Sequence, residues 1–188
     1  MDLGSGNTSP WLLGGRYRVG RLLGQGGMAD VYAAVDELDG NTVAVKVLRD
    51  PLLGGTDADA DVLAGLRHPG LVELLDVGED QGRRFCVMTL VEGPTLAARL
   101  SQGALGLEST AHLGADVTSA LAYVHAHGVV HRDVKPANVL LDADGRPRLA
   151  DFGIARLVDA TRVTRTGFAV GTASYLAPEQ VSGARIGP

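Results

Sequence analysis

The stretch "VVHRDVKPANVLL", residues 129 to 141, constrains this chain more than any other. It sets Arg132, Asp133, Lys135 and Asn138 between two apolar anchors, Val129-Val130 and Val139-Leu140-Leu141, both of which read as buried strand. Ionised groups beside a core are costly unless each has a partner. Three charges and an amide are not placed there for packing, so a polar ligand is the expected partner.

Composition narrows that ligand. The formal net charge is −5 and no Lys/Arg block is sustained, so nucleic acid is not expected as the main partner. Arg162 and Arg165 read as a solvated loop. With 188 residues, 45% of them hydrophobic, the chain is globular and long enough for one domain or two small lobes. The single cysteine, Cys86, lies in the apolar run "RRFCVMTL" and reads as a small buried hydrophobe. It excludes an internal disulfide and suits a reducing compartment. The N-terminus lacks the basic and apolar regions of a signal peptide, and no apolar run reaches the length of a membrane span. A soluble, cytoplasmic protein with no membrane segment is therefore expected.

Two unlike halves follow residues 1–15, whose Gly/Ser-rich texture predicts a flexible lead-in. Residues 16–92 read as a β-rich lobe: "YRVGRLL", "DVYAAVDE", "TVAVKVL", "LVELLDVGE" and "RRFCVMTL" are β-branched runs. Asp39-Gly40 and the segment from Glu79 to Gly82 punctuate them as hairpins. Only "TDADADVLAGLRHPG" reads as helix, stopped by Pro69. Residues 93–188 are helical in texture, beginning with Leu113, Val117, Ala120, Leu121 and Val124 at helical spacing and Gly128 as a stop. "NVLLD" and "RPRLAD" then form a hairpin across Asp144-Gly145.

Four motifs carry chemistry. In "LGQGGMADVY", Gly24, Gly26 and Gly27 allow a hairpin backbone to approach phosphate oxygens and point N–H groups at them. Val31, just beyond, is able to cover the face of a base. In "VAVK", Lys46 stands one strand later, where a fixed cation meets phosphates covered by such a hairpin. Asp133 suits a carboxylate that orients a hydroxyl and accepts its proton. Lys135 is placed to neutralise a transferring phosphoryl group, and Asn138 offers a hard oxygen to Mg²⁺. "DFG", Asp151 to Gly153, supplies a second Mg²⁺ ligand. Each motif alone is weak, and their order gives them weight.

Taken together, "GQGGMADV", "VAVK", "CVMTLVEG", "HRDVKPAN", "DFG" and "GTASYLAPE" resemble the eukaryotic-type serine/threonine protein kinases, in particular their bacterial branch. The resemblance runs from Leu23 to Glu179 in the family's order, with Asp151 thirteen residues after Asn138. It implies an α+β, protein-kinase-like two-lobe fold, with ATP and Mg²⁺ as cofactors and proteins bearing Ser/Thr as substrates. Asp133 would be the catalytic base, with Lys135 the phosphate-facing cation. Asn138 and Asp151 would hold Mg²⁺. Lys46 would hold the α- and β-phosphates beneath Leu23, Gly24, Gln25, Gly26 and Gly27. Met88 falls at the gatekeeper position, Thr89 to Val91 form the hinge, and Val31, Ala44 and Leu140 would sandwich the adenine. Leu63, Leu74, His131 and Phe152 would stack as the column that reports the active state. Lys135 after Asp133 follows the Ser/Thr branch.

The same resemblance implies regulation. Arg132 needs an anion, which suggests loop phosphorylation, and Thr164 and Thr166 fall where relatives phosphorylate themselves, possible through self-association of two copies. Thr172 would bind Asp133 and Lys135. Three departures stand beside these matches. The third glycine of the phosphate loop is Ala29, and the helix Glu expected to pair with Lys46 falls on Asp59, in a shortened segment. The family's helical lobe also continues beyond "APEQ", so a truncated catalytic domain with little activity of its own is expected. A catalytically weak, pseudokinase-like nucleotide-binding module is the competing reading. A small-molecule phosphotransferase is disfavoured by "GTASYLAPE".

Overall fold

The computed structural model describes residues 11–49, 62–151, 173–182, 184 and 186–187. Among them the chain divides into two compact units, the first built from residues up to Arg49 and from Leu74–Leu90, the second from the remainder.

The first unit is one antiparallel sheet. Its strands are β1 (Leu12–Leu13), β2 (Tyr17–Gln25), β3 (Ala29–Asp36), β4 (Thr42–Leu48), β5 (Leu74–Asp80) and β6 (Arg83–Thr89). They lie in the order β1-β2-β3-β4-β6-β5. Alternation sorts their side chains. Tyr32, Val45 and Val87 oppose one another across β3, β4 and β6, and Val45 and Val87 join Val19, Ala34, Val43, Val47 and Phe85 in one buried cluster. The intervening positions, Val31, Lys46, Cys86, Ala44 and Met88, are thereby set on the opposite face. The hairpins form where the turn residues require them: Gly40 and Gly82 have φ of 76° and 74°, values that glycine adopts without steric cost.

Residues 11–15 depart from the expected lead-in. Leu13 is buried, β1 pairs with β2, and Trp11 meets Tyr32 edge-on at 5.1 Å. Gly14 closes over Phe85, whose ring would lie 2.9 Å from any Cβ there. A polar knot holds the adjoining turn: Arg16 bonds both oxygens of Asp36, and Asp76 accepts from Arg16 and from the Tyr17 hydroxyl. Hydrogen bonding to Arg16 holds the Asp36 carboxyl below the usual carboxylate range, while burial and then the Asp76 bond push the Tyr17 phenol up.

The second unit packs around α2 (Leu107–Ala126), with α1 (Leu96–Leu100) before it. Thr95 caps α1 by accepting from the Ala98 N–H. On α2, Ala120 and Val124 are fully buried and Leu113, Val117 and Leu121 partly so, which is the helical stripe that the spacing predicts. Gly128, at φ 74°, ends the run. Val129-Val130 is not assigned the strand expected of it, and none of the described residues pairs with it; Val129 is buried in the α2 cluster instead. A single 3-10 turn (Pro136–Asn138) leads into β7 (Val139–Leu141), which pairs with β8 (Pro147–Leu149), and α3 (Pro178–Ser182) lies near the end. The predicted helix after Thr56 is described only at 62–64, which are helical. No helix among the described residues is long and apolar enough to cross a membrane.

Candidate functional site

Strand register brings the candidate nucleotide-binding residues of the first unit into a row. Gly24 opposes Val31 on β3, Val31 opposes Lys46 on β4, and Lys46 opposes Cys86 on β6. Ala44, two residues from Lys46, opposes Met88. One sheet face therefore carries Val31, Ala44, Met88 and the Lys46 ammonium: three apolar groups able to cover a flat ring, beside one cation. Leu23, Gly24 and Gln25 close β2, and Gly26 and Gly27 make the turn into β3. The Gly26 N–H donates to the Ala29 carbonyl at 2.8 Å, and a Cβ on Gly26 would lie 3.3 Å from that oxygen. Only a residue without a side chain fits easily in so tight a turn. Thr89 ends β6, opposite Val43, and Val91 follows in the second unit.

In the second unit the polar residues of 131–138 form a single network. Lys135 Nζ lies 2.8 Å from Asp133 Oδ2. Asn138 Nδ2 donates to that same oxygen at 2.9 Å and to the Asp133 carbonyl at 2.8 Å. Asp133 Oδ1 is buried and has no hydrogen-bond partner among the described residues. A buried carboxylate oxygen left unpaired is costly, and such atoms mark sites that await a ligand donor. Both Asn138 bonds use its nitrogen, which leaves its oxygen as the end available to a cation. Leu140, in the middle of β7, bridges Thr95 and faces Arg148 across the hairpin.

Asp151 is tied to this loop through the peptide before it. The Ala150 N–H donates to the Asn138 carbonyl at 2.8 Å, and the Ala150 carbonyl accepts from His131 Nε2 at 2.8 Å. Asp151 itself has φ of 61° and Arg132 has 66°, left-handed values that non-glycine residues adopt only when their surroundings impose them. Asn138 and Asp151 thus offer two hard oxygens from one hydrogen-bonded loop, a donor set that fits a small divalent cation. Asp59, Phe152, Thr164, Thr166 and Thr172 lie outside the described residues.

His131 is 1% exposed, and burial holds its pKa below the ordinary 6.5. Its neutral ring donates from Nε2 to Ala150 and accepts the Asp133 N–H at Nδ1, 3.2 Å away, so a second proton would face a donor. Since the folded state binds that proton less readily than the unfolded state, stability is complete above the unfolded pKa and falls as pH drops through it. The urea midpoint is expected to fall between pH 7.5 and 5.5, and to fall less in His131→Gln. Equal falls in both proteins would show that His131 is not the source.

Residues 17–188 match the protein kinase domain, and the chain belongs to that family. Among curated relatives it is 43% identical to the serine/threonine-protein kinase PknA of Mycobacterium tuberculosis, over 94% of this chain and 44% of that protein. It is 44% identical to the DNA damage-responsive serine/threonine-protein kinase RqkA of Deinococcus radiodurans, over 95% of this chain and 28% of that one. The chain therefore spans less than half the length of these relatives. The crystal structure of the Mycobacterium tuberculosis PknI kinase domain superposes with a TM-score of 0.75 at 32% identity, covering 97% of this chain and 71% of that one. The α+β kinase fold is thus shown, and with it a family that uses ATP, a divalent metal and protein substrates.

Proposed function

We propose that this chain transfers the γ-phosphoryl group of Mg²⁺-ATP to serine and threonine hydroxyls of proteins. The observation that carries this reading is the buried Asp133 Oδ1, without a partner among the described residues, beside an oxygen already engaged by Lys135 and Asn138. That arrangement presents one acceptor to an incoming hydroxyl and keeps a cation next to it. Mg²⁺ would supply charge neutralisation for the triphosphate, held by Asn138 and Asp151.

Asp133 would orient the substrate hydroxyl and take its proton as the oxygen bonds to the γ-phosphorus and the bond to ADP breaks. Lys135 would offset the negative charge that spreads over the phosphoryl oxygens. Lys46 would grip the α- and β-phosphates, the glycine turn from Gly24 to Gly27 would cover them, and Val31, Ala44 and Leu140 would hold the adenine, with Met88, Thr89 and Val91 along its edge. A similar chain, Rad53 1–466, at 29% identity and a TM-score of 0.72, was crystallised with AMP-PNP. Thr164 and Thr166 are proposed as targets of a second copy, with Arg132 receiving the phosphate, Thr172 shaping the peptide site and Asp59 pairing with Lys46. The place of work is the ATP-rich cytoplasm.

Incubation of the chain, extended through the remainder of the family's helical lobe, with γ-labelled ATP, Mg²⁺ and a Ser/Thr-bearing protein is expected to label serine or threonine, at roughly 1–100 per second for a typical kinase. Lys46→Met should remove most of the labelling by spoiling the placement of ATP. Mass spectrometry of the same active sample should find phosphate on Thr164 or Thr166. Labelling of tyrosine alone, or nucleotide bound without transfer, would overturn the reading.

A further inference from the structure

Gln180 lies forty-eight positions from Arg132, yet its side chain meets the catalytic loop. The contact starts from local chemistry. Gln180 stands in the first turn of α3 and its Oε1 accepts the Ala177 N–H at 3.0 Å, the reach-back half of a capping box. With the oxygen so occupied, the other end of the amide has only donors to offer. Nε2 donates to the Arg132 carbonyl at 2.7 Å.

That carbonyl belongs to the peptide joining Arg132 to Asp133. Its N–H end donates to His131 Nδ1 at 3.2 Å, so the peptide plane is held at both polar ends, by Gln180 and by His131. It follows directly on Arg132, whose φ of 66° survives only where neighbours over-determine it. The orientation of this plane sets the direction in which the Asp133 side chain leaves the backbone.

We propose that Gln180 is a positioning residue for Asp133, fixing the Arg132–Asp133 peptide and making the turn at 177–182 a support of the catalytic loop. The inference rests on the kinase reading for its consequence in rate, and on geometry alone for the contact. The amide is required for both of its ends: a carboxylate keeps the cap on Ala177 and sets a second acceptor against the Arg132 carbonyl, while a thioether of similar length loses both bonds.

The test compares Gln180→Glu and Gln180→Met with the unaltered full chain. Hydrogen exchange followed by mass spectrometry on peptides covering 129–138 should be about tenfold faster in both variants, with exchange over α2 unchanged, as expected of a local opening. Turnover should fall by about ten- to a hundredfold with the KM for ATP within about twofold, since a shift of ~1 Å in a catalytic group costs on that order. Gln180→Glu keeps the helix cap, so its loss of turnover cannot come from α3 unwinding. Unaltered exchange at 131–135 in both variants overturns the contact whether or not the protein phosphorylates anything. Faster exchange with unaltered turnover overturns the positioning role. A protein that carries the whole helical lobe and shows no transfer before substitution would sink the kinase reading, and the exchange measurement would still decide the Gln180 contact.

Discussion

Asp133→Asn is expected to lower phosphoryl transfer by about 10²–10⁴-fold while leaving nucleotide affinity nearly unchanged. The substitution preserves the size of the side chain and removes its charge and one acceptor. Asp133 Oδ2 now accepts from Lys135 Nζ and Asn138 Nδ2, so one amide orientation would turn an NH₂ group against two donors. The opposite orientation keeps those two bonds and puts NH₂ where Oδ1 stands, the buried atom with no partner among the described residues. In either case no group remains to accept the hydroxyl proton. Nucleotide affinity should survive because the role proposed for Asp133 is on the hydroxyl and not on the nucleotide. Single-turnover labelling and equilibrium titration with an ATP analogue separate the two quantities. Equal loss of both would show that Asp133 serves binding, and retained turnover would remove it from the reaction.

Gly93→Ala should be the most destabilising small substitution in the second unit. A Cβ at Gly93 would fall 1.8 Å from the Leu141 carbonyl oxygen and 3.0 Å from its carbon. Backbone cannot yield as the tip of a side chain can, and here it is fixed on both sides. The Leu141 N–H donates to the Pro94 carbonyl at 2.9 Å, and Thr95 bridges Leu140. Relief would have to come from moving β7, the strand that Asn138 leads into. Overpacking a well-formed core costs about 1–3 kcal/mol and occasionally more, and a backbone clash this close belongs at the upper end. For a chain of this size about 3 kcal/mol corresponds to a fall in Tm of roughly 6–12 °C. Gly106→Ala is the control, because a Cβ there meets nothing within 4 Å and the residue caps α2 at φ −65°. Calorimetry on the two variants checks the expectation, and a Gly93→Ala protein that melts with Gly106→Ala would refute it.

Features that depend on neighbours in sequence are legible in the residues themselves. The turns at Gly40, Gly82 and Gly145 need positive φ, and glycine announces that need locally. The stripe on α2 could be read from its 3.6-residue spacing, because burial of one face is the force that forms such a helix. The polar loop at 131–138 was legible for a different reason: four polar residues beside a core require partners, and the partners they find first, Lys135 with Asp133 and Asn138 with Asp133, lie within five positions.

Tertiary structure alone decided the rest. Leu12–Leu13 has too few residues to signal a strand; it becomes one because β2 offers it hydrogen bonds and Phe85 fills the space beneath Gly14. The Val129-Val130 pair carries a strand composition, yet no edge among the described residues pairs with it. Nothing beside Gly93 in sequence signals Leu141 against it, and nothing beside Gln180 signals its bond to Arg132. The Phe85, Leu141 and Arg132 contacts join positions far apart in the chain, and the energy of a contact depends on distance in space. Residue type therefore determined what this protein could do at each position, the order of its motifs determined its family, and the packing of distant backbone determined which strands formed and how the Asp133 peptide is held.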